Sequence, residues 1–369
     1  MTVPDVTGET LARQVMAGDR RALARAITLV ERRDPRCAEL LGHAFTATGR
    51  ARTVGITGPP GVGKSTLVGG LIAAERTRDR SVGVVSVDPS SPFGSGALLG
   101  DRLRMGAHAG DPHVFIRSMA SRGALGGLAR AAGQAAMLMD AAGLGVVLLE
   151  TVGVGQAEID VATSTDTVVL VLMPGAGDII QALKSGIMEV PDVIVVNRAR
   201  DPRAKAMVRH VHEALSVREG AEWVPPLVQT EATDGRGIDK LHDALSAHRA
   251  FLAEDDRLLR RRRRNLDAEI VRIAVAELAE RVGDGIYVTR LHYLGVVDPR
   301  EGIITGMTRD GTFRIEGGRI TKPLVNLRFT TSFPKLAEHL VGLSSHVVLV
   351  NRSDYYDERY PFGTLVPAV

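Results

Sequence analysis

The sequence predicts an α/β protein with a mostly parallel sheet flanked by helices, an N-terminal helical extension, a C-terminal helical arm and a small β-rich segment. Short, continuously apolar runs alternate with helical segments between residues 52 and 230. This alternation is typical of a parallel sheet covered on both faces. A glycine-rich turn joins the first apolar run to a helix, and the 40 glycines suit further tight turns between strands and helices.

Length and composition narrow the class of protein. The 369 residues accommodate two or more domains at roughly 100–200 residues each. Cys37 is the only cysteine, which excludes an intramolecular disulfide and a multi-cysteine metal site and favours a cytoplasmic location. We expect no signal peptide and no membrane span, because no long apolar run occurs. The net charge of +3 comes largely from Arg260–Arg264, so we expect no nucleic-acid partner.

The first part of the chain divides into a helical extension and a sheet domain. Residues 1–50 predict helices, with a break at Gly18 and a cap at Asp19. Residues 51–250 predict the sheet domain, with helices from Lys64 and over Gly123–Ala142. Seven strands are predicted: Thr53–Thr57, Val82–Val87, Val114–Ile116, Gly145–Glu150, Thr167–Met173, Val193–Asn197 and Leu227–Thr230.

The second part predicts a long helix and then short strands. Asp239–Arg281 is helical with an interruption near Glu254–Asp256, and residues 251–283 form an arm that we expect to pack on a partner chain. A domain boundary near residue 283 precedes a β-rich segment at 284–369. Its predicted strands are Ile286–Leu294, Ile303–Met307, Thr312–Glu316, Arg319–Ile320, Val325–Phe329 and Val347–Val350. Asp310-Gly311 and Gly317-Gly318 predict hairpin turns between them.

A phosphate-binding motif follows the first predicted strand. Residues 58–65 fit G-x-x-x-x-G-K-[ST], with a strand before and a helix after, and therefore predict a P-loop NTPase. Backbone N–H groups of such a loop face phosphate oxygens, the lysine contacts the β- and γ-phosphates, and the serine hydroxyl ligates Mg²⁺. The residues predicted to contact the nucleotide here are Gly58, Pro60, Gly61, Val62, Gly63, Lys64, Ser65 and Thr66.

Carboxylates follow two other strands. Asp88 and Glu150 each end a predicted strand, where ligands of open parallel sheets bind, and carboxylates there hold Mg²⁺ directly or through water. The alternatives are a helix N-cap for Asp88 and a turn residue for Glu150. Asp101 lies in a loop suited to closing over the γ-phosphate. Lys64, Asp101 and Glu150 are the catalytic candidates.

Two further loops bear on nucleotide recognition. Gly153, Gly155 and Gln156 predict a switch that orders around phosphate, with an ordinary surface loop as the alternative. Asn197 stands where a guanine-reading N-K-x-D motif would begin. Arg198 and Arg200 replace the lysine and the aspartate of that motif, and a guanidinium cannot accept hydrogen bonds from guanine.

Several ordered motifs together resemble the MeaB/ArgK family, G-proteins of the SIMIBI class, over about residues 8–280. They are Gly18–Leu23, the P-loop, Val87–Pro92, Leu99–Arg102, Glu150–Gln156, Pro174–Asp178 and Gln181–Glu189. The resemblance implies a homodimeric GTPase chaperone that gates cofactor loading and protection of an adenosylcobalamin-dependent acyl-CoA mutase of the methylmalonyl-CoA type.

The same resemblance implies roles for particular residues. Mg²⁺ would be surrounded by Ser65, Asp88, Asp101 and Glu150, and a further switch would include Asp178, Gln181 and Lys184. Asn197 and the backbone N–H of Ala232 would contact the base. We expect GTP and GDP as the bound nucleotides, with weakened affinity or relaxed selectivity because of Arg200.

The last segment resembles the C-terminal part of TldD/PmbA peptidases, through Tyr287–Tyr293, Gly306–Phe313 and Asn326–Phe329. That family's zinc site uses an H-E-x-x-x-H helix. Here His212-Glu213 is the only His-Glu pair and Val217 occupies the second histidine position, so we expect no zinc. The segment is either a natural fusion or the product of joined gene fragments. The alternative functions are an accessory binding protein of a TldD/PmbA-type peptidase system and a degenerate fusion with impaired nucleotide binding.

Overall fold

The computed structural model describes residues 6–88, 108, 110–120, 125–151, 164–175, 191–215, 222–338, 347–351 and 363–367. The chain divides into two compact units, Met1–Ala274 and Val275–Val369. This division falls within a long helix, ahead of the boundary expected near residue 283. None of the helices in these ranges combines the length and the apolar content needed to cross a membrane.

The first unit alternates helices and strands. Its helices are α1 Gly8–Met16, α2 Arg20–Arg32, α3 Cys37–Phe45, α4 Lys64–Arg76, α5 Leu125–Ala141, α6 Ala204–Leu215, α7 Ile238–Ala253 and α8 Arg257–Val282, the last continuing into the second unit. Its strands are β1 Arg52–Thr57, β2 Val82–Asp88, β3 Val114–Ala120, β4 Val146–Thr151, β5 Thr167–Leu172, β6 Val193–Val196 and β7 Leu227–Gln229. All seven predicted strands are confirmed.

The strands form one parallel sheet in the order β3-β2-β4-β1-β5-β6-β7. The chain crosses from β1 to one side of the sheet and later returns to the other, so the order reverses beside β1. Ligands of open parallel sheets bind at such a reversal, outside the carboxyl ends of the strands. The loop after β1 lies at this reversal. The seven-stranded parallel sheet confirms the predicted fold class.

Apolar residues cover both faces of the sheet, because neighbouring residues of a strand point to opposite sides. On one face, the odd-numbered Val85 and Val147 pack with the N-terminal helices and α5. On the other face, the even-numbered Val84 and Val146 pack with α4 and α7. This double coverage is the physical reason that the strands read as continuous apolar runs rather than as alternating ones.

The N-terminal extension consists of helices, as predicted. Asp19 caps α2, because its Oδ1 accepts hydrogen bonds from the N–H groups of Arg21 (2.7 Å) and Ala22 (3.0 Å). These contacts hold the pKa of the Asp19 carboxyl below its usual value. Gly18 has φ +82°, in the left-handed region that favours glycine, and separates α1 from α2.

The basic run at the start of α8 contacts the chain's own sheet domain. Arg261 forms a two-pronged ion pair with Asp192, just before β6, and Arg262 forms another with Asp166, just before β5. Arg262 also donates to the carbonyl of Ala51 (2.8 Å). These two arginines fasten the first turns of α8 to the amino ends of two strands. The packing of the arm on a partner chain stays a prediction.

The second unit is mainly antiparallel. It contains the end of α8 and the elements β8 Gly285–Asp298, β9 Ile303–Glu316, β10 Arg319–Pro323, β11 Arg328–Ser332, α9 Phe333–Glu338, β12 Val347–Asn351 and β13 Gly363–Pro367. Within the described segments, β9 pairs with β8, β10 and β11, and β12 pairs with β13. The hairpin turn at Gly317-Gly318 is confirmed, with both glycines at positive φ.

Two predictions for this unit are wrong. The hairpin turn at Asp310-Gly311 does not form, because β9 runs straight through it while β8 continues to pair on both sides. A register shift accommodates the glycine, whose carbonyl accepts a hydrogen bond from Thr289 Oγ1 (2.9 Å). The strand predicted at Val325–Phe329 begins three residues later at Arg328, and Val325 is 88% exposed.

Candidate nucleotide-binding site

The loop between β1 and α4 depends on glycine. Gly58, Gly61 and Gly63 have φ angles of +145°, +76° and +95°, which side-chain-bearing residues rarely adopt. A Cβ at Gly58 would also collide with the carbonyl oxygen of Val171 on β5. The helix α4 begins directly after Gly63, so its unpaired N–H groups face the same space as the loop. This arrangement is a preformed anion site.

Lys64 opens α4 and folds back across the loop. Its side chain is buried at 5% exposure, and Nζ donates hydrogen bonds to the carbonyls of Gly58 (2.5 Å) and Pro59 (2.8 Å). The ammonium therefore lies inside the loop rather than in solvent. Of the other predicted contact residues, Pro60 and Gly61 are exposed at the tip, and Val62 is buried beneath them.

Ser65 and Glu150 meet at the carboxyl ends of β1 and β4. The Ser65 hydroxyl donates to Glu150 Oε1 at 2.6 Å, and both residues are buried. Glu150 pairs in register with Ile56, which places its carboxylate level with the end of β1. These oxygens fit Mg²⁺, which takes oxygen ligands from hydroxyls and carboxylates beside a phosphate. The turn-residue alternative for Glu150 does not apply, since it lies within β4.

Asn197 joins three parts of the site. It follows β6, is 4% exposed, and donates from Nδ2 to the carbonyl of Val62 in the P-loop (2.7 Å). Its Oδ1 accepts hydrogen bonds from Thr230 Oγ1 (3.0 Å) and from the Ala232 N–H (3.1 Å). In this arrangement the Ala232 N–H serves Asn197, and its contact with a base stays a prediction. The side chain of Asn197 thereby fixes the loop after β7 against the P-loop.

The arginines after Asn197 take different directions. Arg198 has φ +57°, and its Nη2 donates to the carbonyl of Gly61 at the tip of the P-loop (2.9 Å). Arg200 instead pairs with Asp234, at 2.6 Å, on the short 3-10 helix Ala232–Asp234. The backbone N–H of Arg200 donates to Glu231 Oε2 at 3.2 Å. Glu231 is not among the site residues predicted from the sequence. Its position directly before Ala232, whose N–H is predicted to contact the base, was the signal that could have found it.

Asp201 follows Arg200 and is the aspartate nearest in sequence to the missing guanine-reading position. Its carboxylate accepts hydrogen bonds from the backbone N–H, Nε and Nη2 of Arg203 at 2.9, 3.0 and 2.7 Å. These hydrogen bonds lower the pKa of Asp201 to about 2. The Asp201 carboxylate is thus committed to Arg203 at the start of α6.

Several predicted residues fall outside the part of the chain that the structure describes. They are Asp101, Gly153, Gly155, Gln156, Asp178, Gln181 and Lys184, together with the side chain of Asp88, whose backbone ends β2. The structure does bring together the P-loop, Glu150, Asn197 and Ala232, from four separate strand ends. The catalytic and switch assignments stay predictions.

One group of metal-binding residue types lies elsewhere in the described segments. Glu9, Glu39 and His43, on α1 and α3, lie close enough to share an ion. Glu9 already pairs with Arg13 (2.7 Å), and Glu39 accepts a hydrogen bond from the Gly8 N–H (3.0 Å). Both carboxylates therefore serve contacts within the helical extension.

Comparison with known proteins finds a matching family, similar sequences and a similar solved structure for most of the chain. Residues 23–285 match the family described as methylmalonyl-CoA mutase-associated GTPase MeaB. A putative GTPase of Pyrococcus abyssi is 46% identical over 74% of this chain and 86% of its own length. The GTPase ArgK of Escherichia coli is 39% identical over 67% of this chain and 77% of its own. A crystal structure of a LAO/AO transport system kinase superposes with a TM-score of 0.62, at 30% identity, covering 76% of this chain and 87% of that one.

A second match covers the end of the chain. Residues 257–368 match the PmbA/TldA metallopeptidase C-terminal domain. The match confirms the resemblance read from the sequence and begins at the start of α8, so the two family matches overlap at residues 257–285.

Proposed function

Because this chain belongs to the MeaB family of methylmalonyl-CoA mutase-associated GTPases, we propose that its GTPase cycle is Mg²⁺-dependent and serves an adenosylcobalamin-dependent acyl-CoA mutase. In this role it gates cofactor loading and protects the mutase from inactivation. The observation that carries the nucleotide site is the buried Ser65–Glu150 contact beside the glycine loop. A mouse relative, 34% identical, bears the name methylmalonic aciduria type A homolog, which supports the choice of partner.

The residues of the loop bind and neutralise the phosphates. Lys64 exchanges its two carbonyl partners for phosphate oxygens, an exchange favoured because a phosphate oxygen carries negative charge whereas a carbonyl oxygen is neutral. The N–H groups at the start of α4 contribute further positive potential. Asn197 stabilises the conformation of the loop by its hydrogen bond to the carbonyl of Val62.

Ser65 and Glu150, with the predicted Asp88 and Asp101, are the residues that would hold Mg²⁺. When bound, the ion supplies positive charge that stabilises the charge developing on the transferred phosphoryl group. Glu150 is 2% exposed, so its carboxylate faces the site rather than bulk water. The predicted switches at Gly153–Gln156 and around Asp178 come after β4 and β5 in the sequence, and we propose that they couple the bound nucleotide to the mutase.

The central experiment measures GTP hydrolysis with and without a purified methylmalonyl-CoA mutase. We expect the rate to depend on Mg²⁺ and to rise when the mutase is added. Lys64→Ala should weaken GTP binding at least about 100-fold, since at least two charge-assisted hydrogen bonds of about 1.5–3 kcal/mol each are lost. Lys240→Ala, an exposed lysine on α7, is the matched control and should leave binding unchanged. Absence of stimulation by any acyl-CoA mutase would refute the proposed partner.

We also propose the homodimer that the family resemblance implies. Several apolar side chains on α8 are more than two-fifths exposed, and Leu266, Ile270 and Val271 lie close together among them. A charge at the middle position, Ile270→Glu, should convert the dimer to a monomer in light scattering. A monomeric wild-type chain would contradict this assignment.

An accessory role in a TldD/PmbA-type peptidase system is the second candidate. The match at residues 257–368 favours it, as do exposed apolar side chains of the second unit such as Tyr293 and Val296. The two candidates separate in a pull-down with the full chain against equal amounts of a mutase and a TldD/PmbA-type peptidase. Retention of the peptidase alone would favour the second candidate.

A further inference from the structure

At the position where a guanine-reading motif has a negatively charged aspartate, this chain has a positively charged arginine. In a guanine-reading N-K-x-D motif, an aspartate accepts hydrogen bonds from guanine N1–H and N2–H₂. Arg200 occupies that position, and a guanidinium only donates. The neighbouring Asp201 is held by three hydrogen bonds from Arg203. Neither Arg200 nor the neighbouring Asp201 therefore offers an unoccupied carboxylate to a base.

Arg200 is turned toward another acid. Its Nη2 lies 2.6 Å from Asp234 Oδ2, and this ion pair neutralises the guanidinium at the 3-10 helix that follows β7. The positive charge that would repel the donor edge of guanine is thus paired. What remains at this position is the backbone of Arg200, with its N–H directed to a different side chain.

That side chain is Glu231. Its Oε2 accepts a hydrogen bond from the Arg200 N–H at 3.2 Å, so the carboxylate lies next to the residue whose side chain the motif would use. Glu231 is only half-buried, which leaves the group accessible to a ligand. A glutamate is one methylene longer than an aspartate and reaches this place from the neighbouring loop.

The loop that carries Glu231 is held in place on both sides. Thr230 Oγ1 and the Ala232 N–H both donate to Asn197 Oδ1. The Glu231 N–H donates to the carbonyl of Arg236 (3.0 Å), which closes the turn behind it. Asn197 in turn holds the P-loop through Val62. The position of the Glu231 loop relative to the phosphate loop is therefore fixed by hydrogen bonds of the Asn197 side chain.

We propose that Glu231 supplies the carboxylate that recognises guanine, in place of the aspartate missing at Arg200. The proposal rests on the GTP site proposed above and specifies its base selectivity. Two carboxylate oxygens match the two donors at guanine N1 and N2. Adenine presents an acceptor at N1 and xanthine presents a carbonyl at C2, so the same carboxylate disfavours both.

The experiment compares equilibrium binding of Mg²⁺-loaded GDP, XDP and ADP to the full chain. Glu231→Gln keeps the shape but turns one acceptor into a donor, which suits the C2 carbonyl of xanthine. We expect GDP to bind about 10- to 100-fold more weakly to this variant, because a charged hydrogen-bond pair is lost, and XDP to bind more tightly than to wild type. Asp201→Asn is the matched carboxylate control and should leave both affinities unchanged.

The outcomes separate the two levels of the proposal. If wild type binds GDP but Glu231→Gln alters neither GDP nor XDP affinity, the role of Glu231 is wrong while the nucleotide site stands. If Asp201→Asn produces the gain of XDP binding instead, Asp201 is the base-reading residue. If wild type binds none of the three diphosphates, the nucleotide site and the base assignment both fail. A gain of XDP binding cannot arise from misfolding, so the test does not depend on equal stability of the variants.

Discussion

Asp192 lies just before β6 and joins a helix, a strand and a histidine. Its carboxylate accepts hydrogen bonds from Arg261 Nη1 (2.9 Å) and Nη2 (2.7 Å) on α8 and from the Val168 N–H (2.7 Å) of β5. His248 Nε2 of α7 lies 3.3 Å from Oδ1. Replacement of Asp192 by Asn keeps the size of the side chain, removes its charge and turns one acceptor into a donor that faces other donors.

The expected cost follows from the burial of the pair. The side chains of Asp192 and Arg261 are 12% and 15% exposed, and breaking a buried pair by removing one partner costs about 3–5 kcal/mol. Because some water still reaches both groups, we expect Asp192→Asn to lower the free energy of unfolding by about 2–4 kcal/mol. With a urea m-value of about 3 kcal/mol/M, the unfolding midpoint falls by about 1 M.

The assay is urea unfolding followed by the fluorescence of Trp223, the only tryptophan. Its indole N–H donates to the carbonyl of Asp192 (2.8 Å), and its ring packs on His248 and Phe251 at centroid distances of 4.8 and 5.0 Å. The signal therefore reports on the first unit at the place where the change is made, independently of the second unit.

The control is an exposed pair on the same unit. Arg209 and Glu213 on α6 lie 3.8 Å apart with side chains 71% and 64% exposed, so Arg209→Gln should cost less than about 0.5 kcal/mol. A double-mutant cycle with Arg261→Gln should give a coupling energy above about 1 kcal/mol. The reasoning is refuted if Asp192→Asn shifts the midpoint no more than Arg209→Gln, or if the cycle shows no coupling.

Three further outcomes are expected. Burial lowers the pKa of His248 from 6.5 to about 4, with Asp192 opposing the shift; the unfolded chain then binds more protons between these values, so stability falls by up to about 3 kcal/mol as pH drops from 6.5 to 4. His248→Gln should flatten this part of the urea-midpoint profile, and an unchanged slope would contradict the assignment. Asn197→Ala should weaken GDP and XDP binding alike, because it loosens the P-loop rather than a base contact; a loss confined to one base in calorimetry would count against this. Gly58→Ala should abolish GDP binding while Gly42→Ala, with open space around its Cα, should not; equal affinities would show that the loop tolerates a Cβ.

Local sequence patterns were sufficient for most of the first unit. The seven strands, the P-loop and the Asp19 cap each depend on neighbouring residues, through apolar runs, glycine spacing and a side chain that bonds to its own backbone. Since the strands are parallel, their carboxyl ends gather at one edge whatever the details of packing. The sequence could therefore place Glu150 beside Ser65 without a structure.

Long-range pairing decided what the patterns predicted wrongly. Asp310-Gly311 has the composition of a hairpin turn, yet β8 pairs along the whole of β9 and holds it extended. Long-range pairing also supplied contacts that the local pattern did not predict. Arg261 and Arg262 of the basic run on α8 pair with Asp192 and Asp166, two acids far away in the chain whose positions only the folded sheet defines.

The residues for base recognition also depend partly on local sequence and partly on tertiary structure. The sequence alone determined that a phosphate loop is present and that Arg200 stands where an aspartate is needed, because both follow from residues in a fixed local spacing. Only the tertiary structure decided where a carboxylate is available. Asp201 is taken by Arg203, and Glu231 reaches the backbone of Arg200 from a loop 31 residues further along the chain. Hydrogen bonds between loops that are distant in the chain fix the position of Glu231 beside Arg200, and local sequence spacing cannot predict them.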